Sequence, residues 1–140
     1  MSATVATLFT ATVTVLALLV VFWTGFRVGG MRSKHNVQAP AVTGHPEFER
    51  AYRVQMNTLE QFVIFLPLLW LSNSYFMMLP LLTGALGLVW IVGRIVYALA
   101  YVSDPGSRGT GFIISLAATA GLLITTIVGL VNAWMAVTAG

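Results

Sequence analysis

Apolar residues run along this chain in four long blocks separated by three short polar stretches, and those blocks set its elements. They cover roughly Val5 to Val28, Glu47 to Leu71, Met77 to Val102 and Phe112 to Val137. A hydrocarbon core about 30 Å thick takes about 20 residues of α-helix to cross, so each block is long enough to span a bilayer. The pattern predicts an all-α integral membrane protein: a single domain over residues 1–140, built as a four-transmembrane-helix bundle with no soluble part. The first block lacks a basic leading region, exceeds the length of a signal-peptide core and has no small-residue cleavage site after it. It reads as a retained helix.

Punctuation between the blocks agrees. Pro46 and Pro80 suit the first turns of helices 2 and 3, and Glu47 and Glu49 lie where the helix 2 dipole favours anions. Asp104-Pro105-Gly106 predicts a tight turn between helices 3 and 4. Met31 to His45, with Pro40 and Gly44, is the one sizeable loop, and Pro67 inside helix 2 should bend it. On helix 4, Ala117, Gly121, Thr125, Gly129 and Ala133 place a small residue at every fourth position. Such a stripe serves close packing within one bundle or at an interface between chains.

Composition fixes the solvent. The chain is 58% hydrophobic and 8% charged, against about a quarter charged in a soluble domain. There is no cysteine, which excludes disulfides, thiolate metal sites and a protein thiol nucleophile, so any thiol chemistry must use a substrate's sulfur. The net charge of +3 arises from cations flanking apolar spans, which set topology and do not point to nucleic acid. Every charged residue belongs to, or leads towards, the side holding the first and third loops, whereas the stretch from Ser72 to Met78 carries none. The positive-inside rule then puts the charged loops in the cytoplasm and both termini on the opposite side.

The informative anomaly is helix 2, whose uninterrupted apolar run, Phe62 to Leu71, is too short to span alone. Its polar half must enter the bilayer. At a rise of about 1.5 Å per residue, Glu60 lies about 18 Å and Arg94 about 21 Å from the uncharged face. Ionised groups at such depth cost at least about 2.5 kcal/mol, so both are expected to face the bundle interior or a polar cleft, as a candidate pair. Arg53, Asn57 and Glu60 share one face of helix 2 at i, i+4, i+7, and Arg94, Tyr97 and Tyr101 share one face of helix 3. The first column suits a zwitterion, with the arginine on a carboxylate and the glutamate on an ammonium, or else an internal salt-bridge network. The tyrosines equally suit a membrane interface. Arg108, just past the turn, reads as a topology-setting cation within reach of the tyrosine face. His35 and His45 have no further ligand at a recognisable spacing, so no metal role is assigned. The sequence contains no phosphate loop, catalytic triad or zinc motif.

The run Glu47-Phe48-Glu49-Arg50-Ala51-Tyr52-Arg53-Val54-Gln55-Met56-Asn57-Thr58-Leu59-Glu60 resembles the helix 2 signature of the MAPEG family, the membrane-associated proteins in eicosanoid and glutathione metabolism. The likeness extends over nearly the whole chain through the four spans, the Pro40 to Pro46 loop and the series Arg94, Tyr97, Tyr101, Arg108. It implies a homotrimer with glutathione as co-substrate, held between subunits near the cytoplasmic side. By matching position, Arg32, Arg53, Gln55, Asn57, Glu60, Tyr97 and Tyr101 would contact glutathione, and Arg108 would stabilise its thiolate. The implied function is a membrane glutathione transferase of detoxification, acting on lipophilic electrophiles, with reduction of lipid hydroperoxides as a second reaction. Two positions depart from the family pattern: Gln61 replaces an aromatic after the glutamate, and Ser33 replaces a second arginine after Arg32. A non-catalytic lipid-binding scaffold is the competing reading. The full polar set argues against it, and the arginines around Glu60 argue against a proton-coupled multidrug transporter, because nearby cations lower a carboxylate pKa.

Overall fold

A computed structural model describes residues 3–139. Four long helices follow one another: α1 (Ala3–His35), α2 (Pro46–Tyr75), α3 (Leu82–Ser103) and α4 (Gly109–Thr138), with a 3-10 turn at Pro105–Arg108 before α4. There is no strand among the described residues. All four helices are long and apolar enough to cross a membrane.

Each helix buries one stripe and leaves the rest apolar and exposed. On α1 the buried side chains are Ala6, Thr10, Val13, Ala17, Val20, Thr24 and Val28, three or four apart as one helical face requires. Leu8, Phe22 and Phe26 on the other faces are exposed, as are Val63, Ile113 and Ile124 elsewhere. An exposed surface this apolar belongs inside a bilayer and not in water. The central core joins all four helices through Val13, Ala17, Phe65, Leu69, Trp90 and Leu122, with the Phe65 and Trp90 rings stacked at a centroid distance of 4.0 Å. Towards the uncharged end, the buried Ser72 hydroxyl lies 2.7 Å from the hydroxyls of both Thr83 and Thr125 and ties α2, α3 and α4 together. Side-chain hydroxyls satisfying one another is what a medium without water demands.

Helix ends differ from the sequence-based boundaries in instructive places. The helix α1 continues through Gly29 and Gly30 to His35 instead of stopping near Val28. Its last turn carries Arg32, Lys34 and His35, and cations there oppose the partial negative charge of the helix C-terminus. Asn36 then adopts a positive φ of 52°, and the Val37 N–H reaches back to the Arg32 carbonyl at 3.1 Å. That is a left-handed cap with an asparagine where glycine is commoner. Helix α2 starts at Pro46 with His45 as its cap, the His45 Nδ1 accepting from the Glu47 N–H. It runs through Pro67 to Tyr75. Helix α3 starts at Leu82, so Pro80 precedes it and does not occupy its first turn.

The small-residue stripe of α4 works inside the chain. A Cβ at Gly129 would stand 2.6 Å from the Tyr75 backbone, and one at Gly121 would stand 3.0 Å from Leu86. Ala117, at the stripe's other end, is exposed. Near the charged end, α3 and α4 touch through glycine on both sides. A Cβ at Gly93 would meet the Ser115 nitrogen at 2.6 Å, and one at Gly111 would collide with the Tyr97 backbone nitrogen. This glycine pair lets α4 lie against α3 where the charged residues gather.

Candidate functional site

At that end, α2, α3 and the turn into α4 enclose a cavity of about 290 Å³ lined by Arg53, Asn57, Tyr97, Tyr101 and Arg108, with Phe112 and Gly109. Arg53 and Asn57 reach it from one face of α2, and Tyr97 and Tyr101 from one face of α3, each pair four residues apart. The two tyrosine rings lie 5.5 Å apart. Arg108 is placed by the turn. Asp104 Oδ1 accepts from the Gly106 N–H at 3.0 Å, which starts the 3-10 turn, and Arg108 Nη1 donates to the Pro105 carbonyl at 3.0 Å. Its guanidinium thereby sits 5.4 Å from the centre of the Tyr101 ring. Two exposed guanidiniums, an amide and two phenols around one cavity make a site for a polar ligand with anionic groups.

Below this cavity runs a chain of polar contacts. Arg94 is fully buried, and its Nη2 donates to Asn57 Oδ1 and to the Thr58 hydroxyl, both at 2.9 Å. The Asn57 Nδ2 points the other way, 3.4 Å from Glu60 Oε2, and Glu60 Oε1 lies 3.6 Å from Arg53. The pairing of Arg94 with Glu60 expected from their similar depths is therefore corrected: Asn57 stands between them. Glu60 is half-exposed and pairs with Arg53 along its own helix. Depth along the membrane normal does not fix the direction of a side chain around its helix, and the amide is the nearer partner for both.

The chain also matches the model of the MAPEG family over residues 10–128. It belongs to the MAPEG family. Among its relatives, an uncharacterised protein of Synechocystis is 44% identical over 105 residues, 75% of each chain. Human microsomal glutathione S-transferase 2 is 38% identical over 125 residues, covering 89% of this chain and 84% of that protein. Leukotriene C4 synthase of Cavia porcellus is 39% identical over 101 residues, 70% of this chain and 64% of that one. As a MAPEG protein with four apolar helices, the chain is a multi-pass integral membrane protein.

Within one MAPEG chain the predicted residues do not all meet. Arg53, Asn57, Tyr97, Tyr101 and Arg108 line the cavity, and Glu60 adjoins it through Asn57. Gln55 lies on another face of α2, in a groove with Val21, Phe22, Gly25 and Phe26 of α1. Its amide nitrogen would stand 3.1 Å from a Cβ at Gly25. Arg32 is held at the end of α1, donating to the carbonyls of Val37 and Ala41 with its guanidinium over the Phe48 ring. The chain also brings His35, His45 and Glu47 together, with donor atoms within 4.8 Å of one another. Spacing along the sequence does not reveal this trio, because the loop between α1 and α2 folds back to form it. The two rings are stacked 3.5 Å apart, so their in-plane lone pairs lie in separate, nearly parallel planes. In this arrangement the trio clasps α1 to α2, with Glu47 accepting from Lys34 at 2.7 Å and lying 2.9 Å from His35 Nε2.

Two residues escaped sequence reasoning as parts of the site. Phe112 and Gly109 contribute to the cavity only because the α3–α4 turn folds over it. The Arg94 contact to Asn57 crosses between helices, and periodicity on one helix carries no signal of which neighbour it faces.

Proposed function

We propose that the cavity binds glutathione and that the protein is a membrane glutathione transferase, activating the bound thiol for attack on lipophilic electrophiles. The observation that carries this is the convergence of Arg53, Asn57, Tyr97, Tyr101 and Arg108, from two helices and a turn, on one cavity. The names of the human and Cavia porcellus relatives, a glutathione transferase and a leukotriene synthase, support the reading. Arg53 and Glu60 serve the charged ends of the tripeptide, Asn57 its amide or carboxylate groups, and Tyr97 and Tyr101 close one side. Arg32 and Gln55, which point elsewhere in the single chain, complete the site from a neighbouring subunit of a homotrimer. The cavity faces the cytoplasm, and both termini lie opposite.

Chemistry rests on Arg108. A free thiol with pKa near 8.5 is mostly protonated at neutral pH, and a guanidinium beside it favours the thiolate. Lowering that pKa by about two units takes about 2.7 kcal/mol of differential stabilisation, within reach of one arginine in a partly dry site. The thiol proton leaves to solvent. The sulfur lone pair forms a C–S bond to the electrophilic carbon, and the leaving group departs with the electrons of its own bond. With a lipid hydroperoxide the thiolate instead attacks oxygen and the O–O bond breaks, giving an alcohol and a sulfenic acid. A second glutathione reduces that acid to the disulfide and water. An electrophile dissolved in the bilayer approaches along the apolar faces of the helices.

Stopped-flow absorbance at the thiolate band tests the proposal. Detergent-purified protein mixed with glutathione is expected to show thiolate formation, followed by conjugation when chlorodinitrobenzene is added. Folded protein that yields neither signal refutes it and leaves the lipid-binding scaffold as the reading.

A further inference from the structure

The least satisfied group in the bundle is Arg94. Its side chain is fully buried in α3, and among the described residues no carboxylate lies within salt-bridge distance of it. Nε and Nη1 have no hydrogen-bond partner, and Nη2 alone makes both polar contacts. A buried cation without a counter-charge is costly, and two more idle donors add to the cost. Packing alone does not require an arginine here, because an apolar side chain of similar length would fill the space at lower cost. The contacts it does make lead to the cavity: Asn57 through its carbonyl oxygen, and Tyr97 through its ring face, 4.2 Å from the guanidinium carbon. Asn57 and Tyr97 both line the cavity, and Arg94 does not.

An asparagine side chain presents an acceptor at one end and donors at the other, and rotating it by half a turn exchanges them. Unrestrained, Asn57 would offer a ligand either end. A guanidinium has only donors, so it holds the oxygen and leaves the NH2 group to face Glu60 and the cavity. We propose that Arg94 is a positioning residue: it fixes the Asn57 amide so that its NH2 donates to a carbonyl or carboxylate oxygen of the bound thiol peptide. The Thr58 hydroxyl, accepting from the same Nη2, fixes the guanidinium in turn. This rests on the glutathione reading above, and its role is in binding more than in turnover.

The test is a double-mutant cycle on glutathione affinity in the purified, assembled protein, with Arg94→Lys and Asn57→Ala. Arg94→Lys keeps the charge, but the lysine nitrogen ends one bond short of the Nη2 position and loses its hold on Asn57 Oδ1. It is expected to weaken glutathione binding about tenfold, with kcat at saturation within about threefold of wild type. In the Asn57→Ala background the same change is expected to cost less than twofold. An equal loss in both backgrounds, or none in either, overturns the proposal.

Should Arg94→Lys fail to fold, Asn57→Asp tests the donor end of the side chain with Arg94 intact. It keeps the guanidinium contact, has no NH2 to donate and sets a carboxylate oxygen beside Glu60, so it should lose binding at least about tenfold; wild-type affinity overturns the proposal. A ligand-free measurement separates this inference from the glutathione reading. Protein labelled with 15N-asparagine has four side-chain NH2 pairs, from Asn36, Asn57, Asn73 and Asn132, and Asn57→Ala identifies one. Arg94→Lys should move the Asn57 pair and leave those of Asn73 and Asn132 in place. If wild type binds no glutathione yet the Asn57 pair moves, the glutathione reading fails and the positioning contact stands. If that pair does not move, the inference fails whatever the ligand.

Discussion

On the proposed mechanism, removing the Arg108 guanidinium takes away the cation that favours the thiolate while leaving the rest of the cavity in place, since that side chain's one hydrogen bond is to the carbonyl of its own turn. If Arg108 lowers the thiol pKa by about two units, its loss cuts the thiolate fraction at pH 7 about 25-fold. Arg108→Ala is therefore expected to lose turnover by that order and to keep glutathione affinity within a few-fold, whereas Arg53→Ala and Glu60→Ala lose mainly affinity. Rising pH should rescue Arg108→Ala, because hydroxide then removes the proton that the guanidinium no longer helps expel. Rate against pH for the wild type and Arg108→Ala checks this, and normal turnover by Arg108→Ala at neutral pH would sink the mechanism. At this scale the sequence was readable where spacing along one helix decides the outcome. The pairs Arg53 with Asn57 and Tyr97 with Tyr101 each reach one cavity, as their i, i+4 separation requires. It was silent where contact crosses between helices: nothing in the spacing says that Arg94 meets Asn57 in preference to Glu60.

Between elements, the decisive contact is the glycine pair that lets α4 rest on α3 beside the cavity. The atoms nearest a methyl at Gly111 are all backbone, the Tyr97 nitrogen and Cα and the Gly93 carbonyl oxygen, and backbone within two packed helices cannot give way cheaply. Gly111→Ala should part the two helices, lower stability by about 1–3 kcal/mol as overpacking does, and shift Tyr97 out of the cavity. Gly30 provides the contrast. It lies inside α1, and a methyl group there would meet nothing within 4 Å, so Gly30→Ala should stabilise the helix by about 0.5–1 kcal/mol. Thermal unfolding of both variants in detergent measures the difference, and equal melting temperatures would show that the close approach is not what holds α3 to α4. The same comparison explains why the end of α1 is hard to read from sequence. Two consecutive glycines after an apolar block suggest a stop, yet the cationic last turn and the Asn36 cap carry the helix to His35. Terminal electrostatics and caps outweigh a propensity of about 1 kcal/mol per glycine.

For the molecule as a whole, the division of the matched residues between faces is the fact to explain. Arg53, Asn57, Tyr97, Tyr101 and Arg108 share a cavity, while Gln55 places an amide in a groove otherwise lined by Val21, Phe22, Gly25 and Phe26. An amide among apolar side chains at membrane depth needs a partner, and a neighbouring subunit supplies one if the cavity of one chain opens onto the Gln55 face of the next. Four spans and the clustering of charge at one end were legible because lipid allows few alternatives; a site shared between subunits would not be, because a half-site looks like surface from within its own chain. Cyclic symmetry gives this arrangement a numerical consequence. Chains carrying Arg108→Ala have a defective cavity and an intact Gln55 face, and chains carrying Gln55→Trp have the reverse. In any trimer containing both types, one seam of the three joins an intact cavity to an intact Gln55 face. Co-expressed chains with two different tags, purified through both, should recover about one third of wild-type activity although each homotrimer alone is inactive. If the site is complete within one chain, the Gln55→Trp homotrimer keeps its activity and the mixed trimers only average their parents.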